Sequence, residues 1–246
     1  MSPAKPVVRR RIREPRGNRK DEKRNADFSV ARRSPASVPR SQPFLPLAKA
    51  TYRLSVHDPK ELPAPGVPEL AFAGRSNAGK SSAINALARR RRLAFVSKMP
   101  GRTQLINFFS LGDAAFLVDL PGYGYAGVPA EVQRHWEELV GGYIASRASL
   151  AGVVVVMDVR HPLTPLDRRL IDWLRDAGRP VHALLTKADK ISRQAGQQTL
   201  ATVRRDLQQL CPGATAQLFS SLKGDGVEEA AAELARLAAR KNKSPG

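Results

Sequence analysis

The nonapeptide GRSNAGKSS at residues 74–82 constrains this chain more than any other feature. It fits G-x-x-x-x-G-K-[ST], a loop whose backbone N–H groups cradle phosphates. Gly74 and Gly79 permit a tight turn and a close approach to an anion that a side chain would block. Lys80 brings a point charge towards the terminal phosphates, and the Ser81 hydroxyl can ligate a phosphate-bound Mg²⁺. Such a loop sits between a strand and a helix, whose first amides attract negative charge. The flanks supply both. Residues 69–73 read as a short apolar strand, and residues 82–88 as a helix with Ile84, Leu87 and Ala88 at core spacing.

Further strand ends carry matching chemistry. Residues 105–111 and 114–120 are apolar runs joined by Gly112-Asp113, a hairpin signal. The second run leads into Asp119-Leu120-Pro121-Gly122, which places a carboxylate for ordering Mg²⁺ beside a glycine N–H that could meet a γ-phosphate. Residues 150–158 are nearly continuous β-branched sequence, expected to be buried on both faces. Residues 181–186 form a second such strand, running into Thr186-Lys187-Ala188-Asp189. A carboxylate there accepts from both N1–H and N2–H of guanine, whereas adenine leaves it unpaired. Sites of that kind reject the analogue by roughly 10⁴-fold. The Lys187 stem can cover the base face, and residues 220–223, after a short strand at 216–219, can close over it with backbone amides. Helices are expected at 131–146, 165–174 (Leu166, Leu170, Ile171 and Leu174 inward), 192–210 and 227–240.

Strand and helix alternate, so the fold expected is an α/β P-loop domain. It has a mostly parallel six-stranded sheet, helices on both faces and the nucleotide at the strand C-terminal ends. Residues 50–56 add a candidate edge strand. The domain is expected over residues 44–242, followed by a frayed end at 243–246. Residues 1–43, rich in Arg and Pro and poor in large apolar side chains, read as a disordered basic tail.

Charge bears on the partner. The net charge is +19, with residues 1–50 holding 14 Lys/Arg against 4 Asp/Glu. Such an excess favours a polyanion through phosphate contacts and counterion release. Arg9-Arg10-Arg11 and Arg32-Arg33 would suit an RNA-binding arm. The run Arg89-Arg90-Arg91-Arg92 reads equally as a helix C-terminal cap or as an RNA contact. One cysteine, Cys211, and four scattered histidines offer no disulfide and no zinc spacing. No apolar run reaches the length of a membrane span. A cytoplasmic location is expected. An Arg-rich mitochondrial transit peptide is the alternative, opposed by Glu14, Asp21, Glu22 and the prolines.

GRSNAGKSS, PGRTQ, DLPGYGYA, TKAD and FSSLKG together resemble the translation-factor-related small GTPases, and most closely the EngB (YihA/YsxC) family of ribosome-biogenesis GTPases. The likeness runs from about Pro43 to Arg240. It implies that Gly74, Arg75, Ser76, Asn77, Ala78, Gly79, Lys80 and Ser81 bind the nucleotide phosphates, with Gly101, Arg102 and Thr103 nearby. Ser81 and Thr103 would ligate Mg²⁺. Asp119, Leu120, Pro121 and Gly122 would border the γ-phosphate, with Lys80, Thr103 and Gly122 assisting hydrolysis. Thr186, Lys187, Ala188 and Asp189 would bind guanine, and Phe219, Ser220 and Ser221 would close its pocket. Where Ras-like enzymes carry a water-orienting Gln, this chain has Tyr123, so slow intrinsic hydrolysis is expected. Asn77 resembles the asparagine of potassium-stimulated relatives, and reads otherwise as a polar turn residue. The family implies a switch hydrolysing GTP to GDP during assembly of the large ribosomal subunit, with rRNA or the subunit precursor as partner and a link to cell division and septation. A monomer that avoids membranes is expected. The competing readings are a nucleotide-gated rRNA-binding module with incidental hydrolysis, and an ATP-dependent P-loop kinase or ATPase.

Overall fold

β-Branched and aromatic runs form strands where both faces can be covered. In the computed structural model, which describes residues 44–94, 105–124 and 129–243, these runs make one sheet. Its strands are β1 (Thr51–Val56), β2 (Glu69–Gly74), β3 (Ile106–Ser110), β4 (Phe116–Asp119), β5 (Leu150–Asp158), β6 (Val181–Thr186) and β7 (Thr215–Leu218), ordered β1-β3-β4-β2-β5-β6-β7. The pairs β2–β4, β2–β5, β5–β6 and β6–β7 are parallel. The pairs β1–β3 and β3–β4 are antiparallel. The sheet is therefore mostly parallel, with seven strands where six were expected. The added strand is the edge strand β1.

The chain divides into the units Met1–Arg40 and Ser41–Gly246, and the described residues all belong to the second. The basic tail expected over residues 1–43 lies outside them, as do Gly101, Arg102 and Thr103 and the expected frayed end beyond Lys243.

Alternation along the strands assigns each residue to one of two cores. Ala71 and Ala73 of β2, with Val153, Val155 and Met157 of β5, pack with α2 (Ala130–Ser146), α3 (Pro165–Asp176) and α4 (Arg193–Leu210). Leu70 and Phe72, with Val154 and Val156, face α1 (Lys80–Leu87) and α5 (Val227–Lys243). β5 is buried at every position but its last, Asp158, as its β-branched run requires. Caps fix where helices begin. Thr164 and Asp167 form a reciprocal capping box on α3, and the Ser192 hydroxyl accepts from Ala195 N–H at 3.2 Å to start α4. Leu170, Ile171 and Leu174 face inward as expected, but Leu166 does not. It lies in the first turn of α3, and its side chain abuts Gly124.

A buried ionic cluster holds the base of β2. Glu69 accepts from Tyr143 Oη (2.7 Å), Arg147 Nε (2.9 Å) and Ser149 Oγ (2.7 Å). Arg147 Nη1 also donates to the Pro63 carbonyl at 2.7 Å. With Glu69 and Arg147 only 1% and 5% exposed, removing either partner would strand a buried charge. The cluster ties the start of the phosphate-loop strand to the end of α2.

Candidate functional site

The sheet delivers its strand ends to one edge. β2 ends at Gly74, packed so closely on β5 that an added Cβ would stand 2.6 Å from the Val156 carbonyl oxygen. The chain then turns through Asn77 (φ 64°) and Gly79 (φ 97°), with Ala78 N–H donating to the Arg75 carbonyl at 3.0 Å. Gly79 precedes α1 and has no side chain to cap it. The first amides of α1 have no intrahelical acceptor, and they meet the macrodipole's positive end. An anion is drawn there on both counts.

The D-x-x-G segment lies beside this loop. Ser76 N–H donates to the Tyr123 carbonyl at 2.8 Å, and Tyr123 N–H to the Gly74 carbonyl at 3.4 Å. Lys80 Nζ forms an ion pair with the Asp119 carboxylate, both largely buried. Leu120 is buried in the core and Pro121 presents its carbonyl to Trp136 Nε1 at 2.9 Å, so these two frame the site rather than reach into it. Gly122 follows, half-buried.

The base side is built by β6 and the loop after β7. Thr186 Oγ1 donates to the Ala78 carbonyl and lies 3.0 Å from the Met157 carbonyl. Lys187, at φ 59°, extends Nζ to the Asn77 carbonyl at 2.7 Å and to Asp158 Oδ2 at 2.9 Å. Its stem thus lies across the phosphate loop. Asp189 Oδ1 accepts from Ser220 Oγ at 2.7 Å, and this hydrogen bond, aided by Lys190, holds its carboxyl below the usual range. Asp189 is therefore ionised at neutral pH and ready to accept two donors. Ala188 N–H donates to the Phe219 carbonyl at 3.1 Å, and Ser220 N–H to the Asp225 carbonyl at 2.9 Å. Phe219 is itself fully buried, so it supports the pocket from the core and only its backbone borders the base loop. Ser221 sits half-exposed beside Ser220.

The residues expected to bind phosphate and base, insofar as they are described, thus converge from β2, β4, β6 and the β7 loop. Two side chains beside the phosphate loop point elsewhere. The Arg75 side chain runs towards Gly124 and leaves the phosphate cradle, with a buried Nε that no described group accepts. The Tyr123 phenol is buried, packs edge-on against Trp136 and donates to Asp167 Oδ1 at 2.8 Å. Burial first, and then Asp167, keep it protonated well above the usual tyrosine range. Asp158, Asp167 and Trp136 escaped the sequence reading. Only Asp158 left a signal, as a lone carboxylate closing an apolar strand.

The donor set suits Mg²⁺. Ser81 and Asp119 offer hard oxygens, and this ion commonly keeps waters and phosphates for its other ligands. Among the described residues no cluster of three His, Cys, Asp or Glu that could hold a metal ion is present.

Comparisons with known proteins identify the family. A family model described as "50S ribosome-binding GTPase" matches residues 69–187. The chain is 59% identical over 187 residues to a probable GTP-binding protein EngB of Methylobacillus flagellatus, covering 76% of this chain and 90% of that protein. It is 52% identical over 204 residues to the protein of the same name from Dechloromonas aromatica, covering 80% and 93%. A crystal structure of a probable GTP-binding protein engB superimposes with a TM-score of 0.57 at 24% identity, over 70% of this chain and 99% of that one, a likeness of fold. The chain belongs to the EngB family of P-loop GTPases.

Proposed function

We propose that this GTPase is a molecular switch that binds GTP, hydrolyses it to GDP and phosphate, and acts in assembly of the large ribosomal subunit, with the link to cell division that its family carries. The observation supporting it most is the convergence of a phosphate cradle at β2 with an ionised carboxylate, Asp189, after β6. Phosphoryl transfer asks a protein chiefly for positioning and charge neutralisation. Lys80 and the α1 amides stabilise charge on the β- and γ-phosphates; Ser81 and Thr103 would hold Mg²⁺, with Asp119 ordering it, and the ion would supply further positive charge there. Release of Lys80 from Asp119 is the local change that nucleotide entry demands. The Gly122 loop, hydrogen-bonded through Tyr123 to the phosphate loop, would respond to the γ-phosphate.

Asp189→Asn tests the base assignment. It exchanges a double acceptor for a group with one acceptor and one donor. Calorimetry should show GTP and GDP affinity falling by at least 100-fold, with ATP still bound poorly. Unchanged GTP binding, or equal binding of ATP by the parent protein, would exclude this site.

The buried phenol of Tyr123 favours a second reading alongside the first, a nucleotide-gated rRNA-binding module whose turnover is incidental. Complementation separates the two. A Lys80→Ala variant should fail under either, whereas a variant that binds GTP without cleaving it should fail only if turnover matters. Asn77, exposed at the turn, is proposed to bring K⁺ to the phosphates. Hydrolysis should then run several-fold faster in potassium than in sodium, and Asn77→Ala should erase the difference. Equal rates in both salts for the parent protein dispose of the cation's role.

A further inference from the structure

Asn85 closes a loop with a single side chain. After α1 the chain leaves the helix at Arg89, whose φ is 52°. Arg90 N–H still donates to the Asn85 carbonyl at 2.9 Å. Further along, Asn85 Oδ1 accepts from Leu93 N–H (2.9 Å) and Ala94 N–H (2.8 Å), and its Nδ2 donates to the Ala94 carbonyl (2.9 Å). Leu93 and Ala94 are buried, as is Ala88 at the other end. The loop is thus clamped at both ends, and its outer curve consists of Arg89, Arg90, Arg91 and Arg92, all exposed. Arg89 is engaged by Glu228 at 2.7 Å. Among the described residues, Arg90, Arg91 and Arg92 have no carboxylate partner.

A helix C-terminus gains from a cation, but the gain fades within the last turn. One arginine would satisfy it. Three further guanidinium groups lie beyond that reach; solvent and salt screen their repulsion, and the helix has no use for them that a facing array of anions would not serve better. We propose that Arg90, Arg91 and Arg92 form a phosphate-gripping loop for the backbone of structured RNA, which rests on the ribosomal reading above. Guanidinium forks pair bidentately with phosphate. Arg91 and Arg92 lie in bends, so the three Cα atoms stay within about 7 Å of one another, the scale of neighbouring phosphates of one strand. The Asn85 clamp orders the backbone in advance, so binding needs to immobilise only side chains. Helix α1 then joins the nucleotide's phosphates to the RNA's over a rigid link of about 12 Å.

The test uses the full chain, with protein-free large-subunit rRNA and intact large subunits as probes, at several salt concentrations. The variant Arg90→Ser/Arg91→Ser/Arg92→Ser is compared with a control of equal charge loss, Arg193→Ser/Arg205→Ser/Arg240→Ser, at exposed positions elsewhere. Each lost phosphate contact should lower the slope of log K against log salt by about 0.7 to 0.9. The loop variant should therefore lose about 2 from its slope and bind both probes at least tenfold more weakly, while the control changes by less than threefold. Asn85→Ala retains the charges, and should bind several-fold more weakly with an unchanged slope. GTP affinity, expected to stay within twofold, confirms that each variant is folded. If the parent binds both probes and the two triple variants behave alike, the loop is not the contact and the ribosomal reading stands. If the loop variant loses intact subunits but not protein-free rRNA, the partner is a ribosomal protein and the RNA assignment is wrong. If the parent binds neither probe, the ribosomal reading itself fails.

Discussion

Tyr123 stands one residue after the glycine of D-x-x-G, where a water-orienting side chain would be sought. Its phenol is committed elsewhere, donating to Asp167, a carboxylate that also accepts from Thr164 N–H and Oγ1 at 2.8 and 2.7 Å. Asp167 thus joins the cap of α3 to the D-x-x-G loop, and we propose that Tyr123 is a mooring rather than a catalyst. Tyr123→Phe should lower stability by about 1 kcal/mol, the net worth of one hydrogen bond, read from a denaturation midpoint. Its single-turnover GTP hydrolysis should stay within about threefold of the parent. A drop of 10² or more, the usual scale for losing a proton-transfer or water-positioning group, would return Tyr123 to the chemistry. Residues of this kind separate what a sequence displays from what it hides. Gly79, Lys80 and Asp189 were legible because a short local pattern fixes their chemistry. Tyr123 and Asn85 were not, because the partners that define them lie on another element or across an irregular loop.

At the scale of elements, the strands and helices were legible wherever one period dominated, as in the β-branched run of β5. The exceptions had two demands placed on them. Leu166 obeys the helical apolar period but sits too close to the α3 terminus to be covered. Glu69 opens an otherwise apolar strand, and nothing local announced that Arg147 and Tyr143 would reach it. His182 is another such case. It lies inside β6, only 3% exposed, between Thr215 Oγ1 (2.8 Å) and Gln217 Oε1 (3.1 Å) of β7. Burial lowers its pKa first. Arg236 and Arg204 add to that, and Glu233 and the Gln217 hydrogen bond oppose it. The unfolded chain therefore takes up a proton as pH falls through about 6.5, while the folded chain refuses it until lower pH. Stability contributed above the ordinary histidine value is lost on acidification, at no more than about 1.4 kcal/mol per pH unit. His182→Gln keeps a hydrogen-bonding side chain between β6 and β7 without a titrating group. Its melting temperature should vary less between pH 7 and 5 than the parent's, and parallel curves would acquit His182.

For the whole molecule the decisive asymmetry is between a site and a charge. The described groups that line the candidate nucleotide site come from β2, β4, β5, β6 and the loops after them, the start of α1 and the loop after β7, with Trp136 of α2 and Asp167 of α3 behind them. The positive charge is distributed differently. Residues 1–43 carry 13 Lys/Arg and 4 Asp/Glu, close to half of the net +19. We propose that this segment is a separable basic arm that adds affinity for polyanions without tuning the switch. A chain beginning at residue 44 should therefore bind GTP and GDP within about twofold of the full chain. Its binding to large-subunit rRNA should weaken, with a shallower salt dependence, because contacts with phosphates are counted rather than read. The difference between GTP- and GDP-bound affinity for the subunit should survive, since the proposed switch places its origin where Lys80, Asp119 and the Gly122 loop would meet the nucleotide. If truncation instead abolished that difference while nucleotide binding persisted, the arm would be part of the switch, and the division of labour drawn from charge and geometry would be wrong.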